Sequence, residues 1–163
     1  MLARRPYSVA ELRRALTRKY GDVPQVKEAL VRLRRLGYLD DKKFAEQYAS
    51  SLARNRAYGR QRIRRELKAK LVDYRHIEPA LVETFEEFDE RELLERTLDK
   101  KIRGLRLPVT ASKLASLCQS LIRRGFRSSD IIKAVRSRPE LKPVAEDANL
   151  EELNTSDAGS PNQ

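Results

Sequence analysis

Apolar positions along this chain recur every three to four residues, and alternation with period two is almost absent. That spacing gathers them on one face of an α-helix. Leu12, Leu16 and Tyr20 share such a face, as do Val26, Leu30 and Leu33. Phe44, Tyr48 and Leu52 mark a third stripe, Ile63, Leu67 and Leu71 a fourth, and Ala80 with Leu81 a short fifth. Leu94, Leu98 and Ile102 follow, then Leu114, Leu117 and Leu121, then Ile131 and Val135. The pattern predicts helices over about 8–20, 24–36, 40–56, 60–72, 76–85, 89–104, 110–124 and 128–138 in an all-α chain. The punctuation agrees. Ser8 with Glu11 and Asp89 with Glu92 read as capping boxes, and Asp40-Asp41 as an N-cap. Pro24 suits a first helical turn, where its missing N–H needs no partner. Gly21, Gly37 and Gly125 end helices, Gly59 interrupts one, and Pro79 falls in the first turn of the short helix. Pro108 and Thr110 open the next, Ser128 caps the last, and Pro139 stops it.

The stripes also repeat over longer distances. At an offset of 51 residues Tyr7 meets Tyr58, Leu12 meets Ile63, Leu16 meets Leu67, Val26 meets Ile77, and Ala29-Leu30 meets Ala80-Leu81. A further 54 residues on, Ile63 meets Leu117, Leu67 meets Leu121, and Ile77 meets Ile131. Agreement in phase over two steps indicates three tandem copies of a three-helix unit. The expected division is 1–38, 39–86 and 87–139, followed by an acidic, disordered tail over 140–163. The leading helix of the first copy would lie before Met1, with LARR at 2–5 as its last turn, so either this start is internal to a longer chain or the first unit is incomplete. Apolar residues are therefore expected to be exposed there.

Composition favours small stacked units over one large core. Of 163 residues, 36% are charged and 6% aromatic, with no Trp. The formal net charge is +11, and because residues from Leu141 onward sum to −4, the first 140 carry +15. Such a surplus attracts polyanions or acidic protein surfaces. One Cys excludes an internal disulfide, and MLARRPYS has no apolar run behind its charges, so it is not read as a signal peptide. No stretch approaches the roughly 18 apolar residues of a membrane helix. A cytoplasmic protein is expected.

The densest basic stretch holds Arg54, Arg56, Arg60, Arg62, Arg64, Arg65, Lys68, Lys70 and Arg75 against Glu66 and Asp73. Guanidinium forks suit carboxylates and phosphates, and the flanking Tyr58 and Tyr74 could stack on bases or serve as core. A secondary set is Arg13, Arg14, Arg18, Lys19, Arg32, Arg34 and Arg35, and a third is Arg123, Arg124 and Arg127. Repeating the unit repeats positive charge along a line, which matches an extended partner. The acidic island Glu83, Glu86, Glu87, Asp89, Glu90, Glu92 and Glu95 brings no His with it and reads as capping and solubility rather than a metal or general-acid site. His76, the one His, is expected in a turn or cap before a helix, and Cys118 as a small buried hydrophobe. No phosphate-cradling Gly loop, CxxC or nucleophile–base set is present, so no catalytic residue, cofactor or metal is expected.

SVAELRRAL (8–16), LGYLDDKKFAEQYASS (36–51), YGRQRIRRELKAK (58–70), IEPAL (77–81) and LIRRGF (121–126) together resemble the RecX family of bacterial RecA regulators. The resemblance spans about residues 2–138. It implies tandem three-helix units in an elongated, curved array without catalysis. It also implies binding to the RecA–DNA filament, which lowers recombinase, ATPase and LexA co-protease activity in recombination and the SOS response. Some members also bind DNA, single- or double-stranded. Where the family usually carries Lys-Gly, this chain has Lys70-Leu71, so the helix there is expected to run further. Two functional readings stand side by side: a regulator of the RecA filament, and a stand-alone, non-specific DNA-binding repeat protein. A monomer is expected, with exposed apolar surface on the first unit as the feature that would favour self-association.

Overall fold

A computed structural model describes residues 6–142. Among these residues the elements are eight α-helices, closed by a 3-10 turn at Pro139–Leu141, and no strand occurs. The helices are α1 (Val9–Tyr20), α2 (Pro24–Arg35), α3 (Asp41–Arg56), α4 (Arg60–Ala69), α5 (Tyr74–Glu87), α6 (Glu90–Ile102), α7 (Ala111–Arg123) and α8 (Ser128–Arg136). None is long and apolar enough to cross a membrane. By their contacts the helices fall into three groups, called here the first, second and third units: α1 with α2, then α3, α4 and α5, then α6, α7 and α8. The disordered stretch expected beyond residue 142 and the LARR turn lie outside the described residues.

Local chemistry sets most helix starts. Ser8 Oγ accepts from the Glu11 N–H at 3.1 Å, and Asp40, Asp73, Asp89 and Thr110 cap α3, α5, α6 and α7 in the same way. Four expectations need correction. α4 stops at Ala69 instead of running to 72, because the chain turns through Leu71 in the left-handed region, φ 59°. α5 starts at Tyr74, capped by Asp73, so His76 is inside the helix and Pro79 is its sixth residue rather than in its first turn. Ser128 does not cap α8; the N-cap is Arg127, with no side-chain hydrogen bond. Glu140 and Leu141 belong to the third unit, not to a tail, since Leu141 is buried at 1% exposure in its core.

The second and third units share one continuous core, running from Phe44 through Ile63, Leu67, Leu98 and Leu121 to Leu141. Ala45, Ala49 and Ala53 give α3 a fully buried small-residue face, which lets it lie close on α5. The first unit has a separate small core of Leu12, Val26, Leu30 and Leu39. Its outer face is open: Ala29 is exposed where its counterpart Ala80 is buried, and Tyr20, Val31, Leu36 and Tyr38 are exposed.

The second helices of the units, α7, α4 and α1, meet end to end. At one joint the Gly59 N–H donates to Arg124 O at 2.8 Å and the Gln61 N–H to Gly125 O at 3.2 Å. At the other, Ser8 Oγ donates to Lys70 O. Ser8 and Gly59 are repeat equivalents, and so are Lys70 and Arg124. Each joint thus pairs donors at one helix start with carbonyls at another helix end, groups that a lone helix leaves without partners. A carboxylate completes each joint. Asp41, first residue of α3, accepts from the Val9 N–H at 2.8 Å, and Glu90, first residue of α6, accepts from the Arg60 N–H at 2.8 Å. The glycine joint is the tighter one: a Cβ on Gly59 would lie 2.7 Å from Gly125 C, and one on Gly125 2.2 Å from Arg62 N.

Candidate functional site

α4 begins at a glycine joint and buries Ile63 and Leu67, so its arginines fan out over the remaining faces. Several of them are held by carboxylates of the chain itself. Arg64 makes a two-pronged contact with Glu78 on α5 at 2.7 and 2.9 Å. That hydrogen bond raises the guanidinium pKa and holds the Glu78 carboxyl below its ordinary value. Arg62 pairs with Glu66 at 2.7 Å and lies over the Tyr58 ring, 5.3 Å from its centroid. Arg60 lies over Phe85 at 4.7 Å and within 3.7 Å of Glu90. Lys70 pairs with Glu11 across the first joint at 3.1 Å. Arg54 is exposed but bonded to Glu87 at 2.9 Å. Arg56, Arg65 and Lys68 are exposed and, among the described residues, have no carboxylate within ion-pair distance. Arg75 lies beside Asp73 at 3.7 Å and hydrogen-bonds to His76.

The first-unit cations Arg13, Arg14, Arg18, Arg32, Arg34 and Arg35 are all exposed, with no carboxylate in reach among the described residues. Arg123 and Arg127 are exposed at the two ends of the α7–α8 turn. Tyr58 packs on the main core, whereas Tyr74 is exposed. Cys118 is half-buried rather than buried, and its burial pushes the thiol pKa up. In the acidic island Asp89 caps α6, Glu87 and Glu90 hold Arg54 and Arg60, and Glu95 holds Arg138 at 2.8 Å. Those carboxylates have structural partners, and no His/Cys/Asp/Glu group among the described residues has metal-site geometry.

One concentration of charge draws on three separate stretches of the sequence. The end of α3, the outer face of α6 and the end of α7 enclose a cleft of about 580 Å³ lined by Arg54, Arg56, Arg96, Lys100, Lys101 and Arg124. Among the described residues no carboxylate lines it. Arg124 Nη1 donates to Arg56 O at 2.6 Å, so the third unit reaches across to the second. The Lys101 pKa is lowered, first by burial and then by repulsion from Arg124 and Arg123. The sequence did carry a signal: Arg96, Lys100 and Lys101 stand four and five residues apart on one helix. Their closeness to the acidic island concealed it, because the island's side chains point to other neighbours.

Comparison with known proteins places this geometry. Residues 40–81, which hold α3, α4 and half of α5, match the RecX second three-helix domain. The chain is similar to the regulatory protein RecX of Pelodictyon phaeoclathratiforme, 32% identical over 83% of this chain and 82% of that protein. It is similar to RecX of Haemophilus influenzae, 33% identical over 80% and 84%. In fold it is similar to the crystal structure of RecX from Lactobacillus salivarius, with a TM-score of 0.67 at 20% identity over 83% of this chain and 88% of that one. By sequence along most of its length, and with an all-helical fold to match, the chain belongs to the RecX family of regulatory proteins.

Proposed function

We propose that this protein binds the RecA–DNA filament in the cytoplasm and lowers RecA ATPase, strand exchange and co-protease activity. The observation that carries the reading is family membership along most of the chain, in a family whose relatives here are named regulatory proteins. The surface supports it. Exposed cations free of ion pairs recur on each unit: Arg13, Arg14 and Arg18, then Arg65 and Lys68, then Arg123 and Arg127. Positive charge present on each unit suits a partner that is itself repetitive and carries acidic protein surface and DNA. Within α4, Arg65 and Lys68 are the contact residues of choice, since Arg60, Arg62 and Arg64 are bonded to glutamates of the chain.

The test is RecA ATPase on single-stranded DNA, titrated with this protein at substoichiometric ratios, beside a binding curve on the same DNA without RecA. Inhibition well below the concentration that coats naked DNA is expected. Inhibition that begins only when the DNA is saturated would replace this reading with competition for the lattice by a stand-alone DNA-binding protein. Arg65→Glu with Lys68→Glu, both exposed, should relieve inhibition severalfold while helicity stays unchanged.

A further inference from the structure

We propose that the cleft between α3, α6 and α7 is a phosphate-binding site for the backbone of nucleic acid. It deepens the DNA side of the reading above by naming the site and the group it takes. Six cations from three helices converge there: Arg54, Arg56, Arg96, Lys100, Lys101 and Arg124. Among the described residues only Arg54 of these has a carboxylate partner, Glu87. Other arginines of the second and third units are neutralised within the chain. Arg62, Arg64 and Arg138 are each matched by glutamate or aspartate within 2.8 Å. Six cations drawn together with one carboxylate partner between them, among the described residues, leave room for an anion from outside.

The type of anion follows from what lines the cleft. Four of the six groups are guanidiniums, whose paired N–H donors match the oxygens of a phosphate. No aromatic side chain lines it, so nothing there can stack on a base. Its uncharged lining is Asn55, Ala57, Leu93 and Thr97, and Leu93 and Thr97 are buried, so there is no apolar anchor of the kind that holds a peptide. Contacts confined to phosphate oxygens position a strand without reading its sequence. Lys101 has the most to gain, because a bound phosphate would offset the repulsion from Arg124 and Arg123.

The test needs no RecA, so its failure is separable from failure of the filament reading. Binding of the full chain to a short fluorescent oligothymidylate is followed by anisotropy over a range of salt. The variant R96Q/K100Q/K101Q is compared with K43Q/K113Q/R136Q, which removes the same charge from exposed positions outside the cleft. The double variant R96Q/K100Q alters two exposed side chains only and guards against misfolding at Lys101. The cleft variant should bind at least about tenfold more weakly, and its salt slope should fall by about two, since each phosphate contact on a single strand contributes roughly 0.7. The scattered variant should stay within about twofold, with its slope unchanged. Equal weakening in both would show that net charge alone drives binding and would overturn the site, as would undiminished binding by the cleft variants. Inorganic tripolyphosphate serves as competitor. Displacement of the oligonucleotide by tripolyphosphate at equal phosphate concentration would assign the cleft to a free polyphosphate instead.

Discussion

Leu71 has its backbone at φ 59°, a region that costs an L-residue with a Cβ roughly 1–2 kcal/mol. Its side chain is 41% exposed, so little burial offsets that cost. Leu71→Gly should therefore stabilise the protein by about 0.5–1 kcal/mol and raise the thermal midpoint, as read by circular dichroism. The sequence showed the anomaly at this position but not its resolution. Leu in place of Gly predicts a longer α4, whereas the chain keeps the turn and tolerates the strain. Caps were legible because they are local: Ser8, Asp40, Asp89 and Thr110 each act within three residues. Ion-pair partners were not, since Arg64 and Glu78 lie on different helices. Their pair also sets a pH dependence. Glu78 is held below its ordinary value of 4.5, so its contribution is complete above that pH and is lost as the pH falls through the depressed value. Glu78→Gln should cost about 0.5–1 kcal/mol in urea unfolding at pH 7, and the difference should shrink toward zero in strong acid.

At the scale of elements, the joints decide how helices are placed. Gly59 and Gly125 let the start of α4 and the end of α7 touch backbone to backbone, and a methyl group at Gly125 would collide with Arg62 N at 2.2 Å. Gly125 also has φ 94°. Gly125→Ala should cost several kcal/mol, with the loss felt across the core shared by the second and third units, and chemical denaturation would measure it. At the equivalent places in the other joint stand Ser8 and Leu71, which keep the backbones apart and leave a hydroxyl to make the link. Helix existence and the repeat were readable from periodicity, because both depend on stripe spacing. The joints were not. Gly59 reads as a break in a helical pattern, and nothing near it in sequence points to Gly125. Asp41 and Glu90 open their own helices just behind the caps Asp40 and Asp89, yet each accepts from an N–H at the start of a helix in the preceding unit.

For the whole molecule, the consequence is two bodies rather than three equal ones. The core from Phe44 to Leu141 is continuous, and the smaller cluster of Leu12, Val26, Leu30 and Leu39 stands apart from it. Local opening follows buried contacts, so the first unit should open on its own. Hydrogen exchange should be faster for amides of α1 and α2 than for those of α4, α5 and α7, in a separate transition. A single cooperative transition covering all eight helices would contradict this. Composition was a fair guide to thin cores, with 6% aromatics and no Trp. It could not tell which units merge, because merging depends on the closeness that two glycines allow at a single contact.

Joints of the same kind, made in the same sense, also give the molecule a direction. Each time, the start of one helix receives the end of the helix from the following unit, so the series α7, α4, α1 reads like arrows laid tip to tail. Turned end for end, it no longer matches itself. A partner whose own subunits all point one way along its axis can accept such a body in one orientation and must refuse the other. The loosely attached first unit would then always arrive at the same end of the contact.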